Sequence, residues 1–273
     1  MLRLYSSMFN KRKTLVPKLL ITAILLCSSI GCSVDPVKTQ DPIKALIVTG
    51  GCCHDYKSQA KFLQKGISQY ANVDFTVINE GKGTEHVHSI FTAENWTKGY
   101  DVIIHNECSA NVGDEVGAKV AKEHHDFGVG AVMIHCAFHT FRSMEGDEWR
   151  ACLGATSKTH THQAPVVITF DKPNHPILKG TKEFTTGKEE LYVIDKVFDH
   201  SIPIATGTQG ETQYPLMFAN KYGKAKIFSV TIGHNNATFE IDEWMHIVAK
   251  GLLWSCGKLD ENGIAIKGYG PTK

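Results

Sequence analysis

Apolar positions in this chain fall into short continuous runs separated by stretches of helical spacing. Lys44-Ala-Leu-Ile-Val-Thr-Gly50 is an apolar run ended by glycine, the pattern of a strand covered on both faces of a parallel sheet. A helix-period stretch from Ser58 to Tyr70 follows, then a strand over Val73–Ile78, a polar loop with Gly81 and Gly83, and a strand over Asp101–His105. A helix over Asp114–Phe127 leads into Gly128-Val-Gly-Ala-Val-Met-Ile-His135, again a buried-strand pattern. Strands alternating with helices predict βαβ units, and so an α/β fold: a flavodoxin-like, doubly wound, mostly parallel sheet with helices on both faces.

After Ala155 the rhythm shifts toward strands, over Pro165–Phe170, Leu191–Asp195, Pro203–Thr208, Pro215–Asn220 and Lys226–Ile232. Turn residues between the apolar ends of Phe218–Ile227 predict an added antiparallel hairpin. Trp244, Ile247, Val248 and Leu252 share helical spacing within Ile241–Trp254, which reads as a closing amphipathic helix.

The N-terminus follows another logic. Arg3, Lys11, Arg12, Lys13 and Lys18 precede the apolar run Leu19–Leu26 and the small-residue stretch Cys27-Ser-Ser-Ile-Gly-Cys32. This is the order of a secretory signal, and the apolar run is shorter than the ~20 residues that span a bilayer. Ile30-Gly31-Cys32 resembles a bacterial lipobox, in which the cysteine is lipidated and becomes the mature N-terminus; a plain signal peptide and a retained anchor are the alternatives. The expected organisation is a signal peptide over 1–31, Cys32 as lipidation site, a tether over 32–43, one domain over 44–257 and a tail over 258–273. The protein is accordingly expected to be exported and held at a membrane through its lipid anchor, on the periplasmic side or at the cell surface.

Removal of residues 1–31 leaves 24 Lys+Arg against 28 Asp+Glu, a formal charge of −4. A mildly acidic domain without basic clusters offers nucleic acid no electrostatic footprint, so small neutral or polar ligands are favoured. Six cysteines remain beyond Cys27 and Cys32, without zinc-type CxxC pairs, and mostly free thiols are expected.

In an open α/β sheet the ligand crevice lies beyond the carboxyl ends of the strands. The residues there are polar and rich in histidine: Gly50-Gly51-Cys52-Cys53-His54-Asp55, His105-Asn106-Glu107, His135-Cys136-Ala137-Phe138-His139 and Gly233-His234-Asn235-Asn236. Convergence of these ends would gather His54, His135 and His234. Imidazole serves both as acid/base near neutral pH and as a metal ligand. Three histidines with Asp55 or Glu190 could also hold zinc with an open position. Cys136 lacks the flanking glycines of a nucleophile elbow and reads as a structural thiol. Trp149 is a minor candidate for stacking on a sugar face.

Taken in order, several segments resemble the ThuA-like family, named for trehalose utilisation. They are Val48-Thr-Gly-Gly51 with His54-Asp55; Gly128–His135; Trp149 with Leu153-Gly154 and His160 or His162; Asp171-Lys-Pro-Asn-His175-Pro-Ile177; Glu189-Glu190-Leu191-Tyr192; and Tyr222–Phe228 leading to Ile232-Gly233-His234 and Phe239. The resemblance implies a class I glutamine amidotransferase-like fold with His135 where those enzymes carry their nucleophilic cysteine, so glutamine hydrolysis is not expected. It further implies sugar or glycoside breakdown, through trehalose-like substrates or 3-keto-glycosides made by a partner dehydrogenase. The reaction class would be isomerase, lyase or hydrolase.

The expected catalytic residues are His135, Glu190, His54, Asp55 (orienting His54) and His234. Asn106, Glu107, His139, His160, His162, Tyr192 and Asn235 are expected to bind substrate. No cofactor is demanded; a divalent metal, zinc or manganese on His54, His135 and His234, is a candidate. The alternative is a carbohydrate-binding lipoprotein without catalysis.

Overall fold

A computed structural model describes residues 40–272. The signal segment, Cys32 and most of the tether lie outside the described residues.

The first half builds the parallel sheet. Strand β1 (Ile43–Gly51) is followed by helix α1 (Tyr56–Ile67), β2 (Val73–Lys82), β3 (Val102–Cys108), α2 (Asp114–Phe127) and β4 (Gly130–Ile134). Helix α3 (Glu148–Leu153) and the strands β5 (Ala155–His160), β6 (Val167–Phe170), β7 (Phe184–Thr185), β8 (Tyr192–Val197), β9 (Ser201–Gln209), β10 (Thr212–Tyr222) and β11 (Ala225–Val230) come next. The short α4 (Asn236–Phe239) and α5 (Asp242–Ser255) close the order. The main sheet runs β2-β1-β3-β4-β11-β10-β9-β6-β7. Its first five strands are parallel and the rest antiparallel. The parallel part has the flavodoxin-like doubly wound order, and β10–β11 is the expected hairpin. Strands β5 and β8 form a separate antiparallel pair.

Alternation along β1 explains both layers. Ala45 and Ile47 point to the face covered by Leu63 and Ile67 of α1 and by Trp244, Ile247, Val248 and Leu252 of α5. Leu46 and Val48 point to the opposite face, with Val120 and Ala121 of α2 and Trp149, Cys152 and Leu153 of α3. Two covered faces require an apolar residue at every position, hence continuous runs rather than an alternating pattern. The segment after α5 also packs: Leu259, Ala265 and Tyr269 lie against the first layer.

Helix α3 and strand β5 are departures from the sequence reading. The α3 segment has six residues, too short for a periodic signal. The β5 segment, Ala-Thr-Ser-Lys-Thr-His, is largely polar, and its last three residues are exposed. Its pairing with β8 nevertheless sets His160 opposite Tyr192.

Candidate active site

Four strand ends meet at the carboxyl edge of the parallel sheet. At the end of β1 the backbone turns at Gly50 and Gly51, with φ of 125° and 94°. A Cβ on Gly50 would lie 1.9 Å from the Glu80 carbonyl oxygen, and one on Gly51 2.1 Å from that of Cys108. Glycine is therefore required there by both conformation and space. The turn delivers His54 to the edge. Beyond β4, His135 opens a single 3₁₀ turn, His135–Phe138, with a positive φ of 43°. A non-glycine residue held there sits on a sharp strand-to-turn bend of the kind that projects a functional side chain.

The centre of the cluster is the Glu190 carboxylate. Its Oε2 lies 3.6 Å from His135 Nε2, 3.2 Å from His234 Nδ1 and 3.6 Å from His160 Nε2. The rings of His54 and His135 are 4.9 Å apart, and those of His54 and His234 are 4.7 Å apart. Gln163 Nε2 donates to Glu190 Oε1 at 3.3 Å and reaches His234 Nε2 at 2.8 Å. Tyr192 stands 3.3 Å from His135 Nε2 through its hydroxyl, and stacks on His139 with centroids 4.1 Å apart.

Hydrogen bonds fix the lone pairs. His135 Nδ1 donates to the Thr231 carbonyl at 2.7 Å, and His160 Nδ1 to that of Thr161 at 2.8 Å. In the neutral rings both Nε2 lone pairs then face one oxygen of Glu190. A backbone carbonyl on the remote nitrogen is also how proteins orient metal-ligating histidines.

Burial sets the charges. It is the main cause that lowers His54 to about 3 and His135 to about 4, with neighbouring histidines adding repulsion. His139 is likewise lowered to about 3, first by burial and then by His135. For Glu190, burial alone would raise the pKa. The His234 hydrogen bond and the fields of His135, His234 and His160 together outweigh it and hold the carboxyl at about 2. His234 moves upward, through its hydrogen bond to Glu190. Near neutral pH the site thus holds a carboxylate and neutral His54 and His135, with His234 the one histidine of the cluster whose pKa moves upward.

The cluster faces an inner pocket of about 190 Å³, lined by Cys53, His54, His139, His160, Glu190, Tyr192 and His234 among others. An open outer cleft of about 770 Å³, in the size range of small-ligand sites, shares Cys53, His54 and His234 with it and adds Asp55, Lys188 and Asn235.

Other expected site residues lie elsewhere. Asn106 is buried and donates to Gln59 Oε1, and Glu107 is bonded to His105 Nδ1 inside the fold, so neither lines these cavities. Asp55 does not orient His54: its carboxylate caps α1 at Ser58 N and accepts from Asn236 Nδ2. Of the two alternatives His160 lines the pocket, while His162 is exposed and meets Gln209 only through its carbonyl. Trp149 is buried and donates to the Ala137 carbonyl, away from any sugar.

Two residues were missed as members of the site. Gln163 carries no motif, and only its proximity to the Thr-His-Thr-His run hinted at it. Glu189 was visible as half of an acidic doublet. It is fully buried and accepts from the backbone N–H groups of His234 and Asn235 at 3.1 and 3.3 Å, and from the Thr238 hydroxyl. The doublet thus splits: Glu189 holds the His234 loop and Glu190 faces the pocket. Cys136, read as structural, touches the site through a 3.1 Å contact with His54 Nε2. The Cys108 hydrogen bond and burial push its thiol well above the ordinary value, which disfavours a thiolate nucleophile. Cys52 and Cys53 are joined as a disulfide, whereas Cys108, Cys136, Cys152 and Cys256 are free, so most of the described thiols are free as expected.

Residues 44–255 match the ThuA family, described as trehalose utilisation. The chain belongs to the ThuA family. Among solved structures, a ThuA-like protein of Parabacteroides merdae superposes with a TM-score of 0.65 at 18% identity, covering 85% of this chain and 98% of that one. A ThuA-like protein of Bacteroides uniformis gives 0.61 at 16%, covering 86% and 98%. A β-galactosidase of Rahnella sp. R3 gives 0.52 at 14%, with 76% of this chain matching 31% of that enzyme. At such identities these likenesses show the shared fold. No curated protein matches in sequence.

Proposed function

We propose that this ThuA protein is an exported enzyme of glycoside breakdown that acts on a sugar carrying a carbonyl, such as a 3-keto-glycoside made by a partner dehydrogenase. The observation that carries the reading is the single carboxylate of Glu190, which faces the inner pocket and is encircled by His135, His160 and His234 from distant segments. A carbon acid beside a carbonyl needs a base at the C–H bond and a donor at the oxygen that becomes negative. His160, exposed at the pocket with Nδ1 spent on the Thr161 carbonyl, offers its Nε2 lone pair, 3.6 Å from Glu190 Oε2, to take the proton. His234, its Nδ1 3.2 Å from Glu190 Oε2 and its pKa raised by that carboxylate, serves as the donor. Removal of the C2 proton of a 3-keto-glycoside leaves an enediolate whose collapse breaks the bond from C1 to the leaving oxygen, and that oxygen takes up a proton. Glu190, held at about 2, is too weak a base at neutral pH for the first step. It serves as anchor and counter-charge.

The donor set also fits a divalent cation. His135 Nε2, Glu190 Oε2 and His234 Nδ1 lie within 4.8 Å of one another, so once His234 has given up its Nδ1 proton two imidazole nitrogens and a carboxylate oxygen would share the cation. Zinc or manganese held there would polarise the substrate carbonyl. Anchoring through Cys32 would place the enzyme where imported glycosides first meet the cell envelope.

The test is turnover of an aryl 3-keto-glucoside, followed by release of the aryl alcohol and by C2 hydrogen exchange in heavy water. Both are expected with the wild type and lost in His135→Ala, with an unchanged circular dichroism spectrum. Calorimetric binding without product would favour a carbohydrate-binding lipoprotein instead, and turnover surviving His135→Ala would remove the cluster from the chemistry.

A further inference from the structure

Behind the histidine cluster runs a row of sulfur atoms that the chemistry above does not use. Cys53 is bonded to Cys52, Cys52 Sγ lies 3.5 Å from Cys108 Sγ, Cys108 and Cys136 share one buried cluster, and Cys136 Sγ is 3.1 Å from His54 Nε2. The Sγ atoms of Cys52, Cys53 and Cys108 lie within 4.8 Å of one another.

The backbone holds these atoms together. Cys52 N donates to the Cys108 carbonyl at 3.2 Å, Tyr56 donates its hydroxyl to the Cys52 carbonyl at 2.8 Å, and the Gly51 turn lets the strand end lie against Cys108. Cys53 takes a positive φ of 88° and is exposed in the outer cleft, while Cys108 is buried. A non-glycine residue at such a φ is tolerated only where the surroundings demand it.

We propose that Cys52, Cys53 and Cys108 form a second site, for a soft, thiophilic cation such as Cu(I), which the Cys52–Cys53 disulfide closes and a reductant opens. A phosphine or dithiol supplies two electrons to the S–S bond and is itself oxidised, the phosphine to its oxide with water giving the oxygen and both thiol protons, the dithiol to a disulfide with its own two protons transferred; either leaves two thiols beside the thiol of Cys108. Binding of the cation releases their S–H protons to solvent. Three sulfur donors without oxygen ligands select Cu(I) over magnesium, calcium or manganese. The exposed Cys53 gives the entry path and the buried Cys108 the third ligand. The site shares Cys53 and the pocket wall with the histidine cluster but none of that cluster's proposed ligands.

The experiment is an anaerobic titration of the whole protein with Cu(I) against a chromogenic chelator, before and after phosphine reduction. Reduced wild type is expected to take up one Cu(I) per chain with sulfur-to-copper charge-transfer absorption, and the unreduced protein none. Cys108→Ser should weaken retention by about tenfold or more, while Glu190→Gln, which strikes the other site, should leave it unchanged. If Cys108→Ser does not fold, Cys53→Ser, at an exposed position, decides on the same criterion. Equal uptake with and without reduction, no uptake after reduction, or wild-type affinity in the deciding cysteine variant would each overturn the proposal.

Discussion

Acidification from pH 7 to pH 5 tests the charge pattern of the site. His54, His139 and the interior His124 are held at about 3, and His135 at about 4, with burial the leading cause each time. In the unfolded chain each returns to 6.5. A folded pKa below the unfolded one gives stability that is complete above pH 6.5 and drains away as pH falls toward 3–4. Over the two pH units each group costs about 2 kcal/mol. His234 works in the opposite sense: its raised pKa adds stability below 6.5 that is lost as pH rises through the folded value. With that offset and repulsion among the neighbours, a net loss on the order of 5 kcal/mol is expected, a large part of the total for a domain of this size. Glu190, shifted from 4.5 to about 2, adds its loss only below about pH 4.5. The assay is the urea midpoint of chelator-treated protein across this range at fixed ionic strength, with ring-proton NMR following the individual histidines. A midpoint equal at pH 5 and pH 7, or His54 and His135 titrating near 6.5, would refute the assignment of buried neutral imidazoles.

Two substitutions probe how the site is positioned. Glu189→Gln keeps shape but weakens the carboxylate's hold on His234 N, Asn235 N and Thr238; turnover should fall about tenfold with a smaller change in KM, and unaltered kinetics would show that the His234 loop does not depend on it. Gly51→Ala sets a methyl carbon 2.1 Å from the Cys108 carbonyl at a φ of 94°. A stability loss of about 3 kcal/mol or more, read from urea denaturation, is expected, and a loss below about 1 kcal/mol would mean that the turn is looser than described.

The parallel half of the fold could be read because its strands are buried on both faces: Ala45 to Val48 are apolar throughout, and nothing but a covered central strand accounts for that. Strand β5 could not be read, because its partner β8 is distant in sequence and its polar residues carry no period. The same gap left His160 and His162 unresolved, since only pairing with β8 puts His160 beside Tyr192. His54, His135 and His234 were legible because strand ends of a doubly wound sheet share one edge. Asn106 and Glu107 misled for a related reason. The paired part of β3 runs to Cys108, so these two residues lie within the strand rather than after it, and their side chains are spent on Gln59 and His105. Gln163 became recognisable only through its contacts with Glu190 and His234, and the Cys52–Cys53 bond is invisible to spacing rules built for separated cysteines.

Metal content under non-reducing conditions, with the sulfur site closed, is the most direct test of the Glu190 centre. Protein loaded with zinc or manganese and exhaustively dialysed is expected to retain one ion per chain by elemental mass spectrometry, and Glu190→Gln to retain none while keeping its fold. Wild type that returns from dialysis without metal, or a variant that holds as much as the wild type, would contradict a divalent-cation centre held by His135, Glu190 and His234.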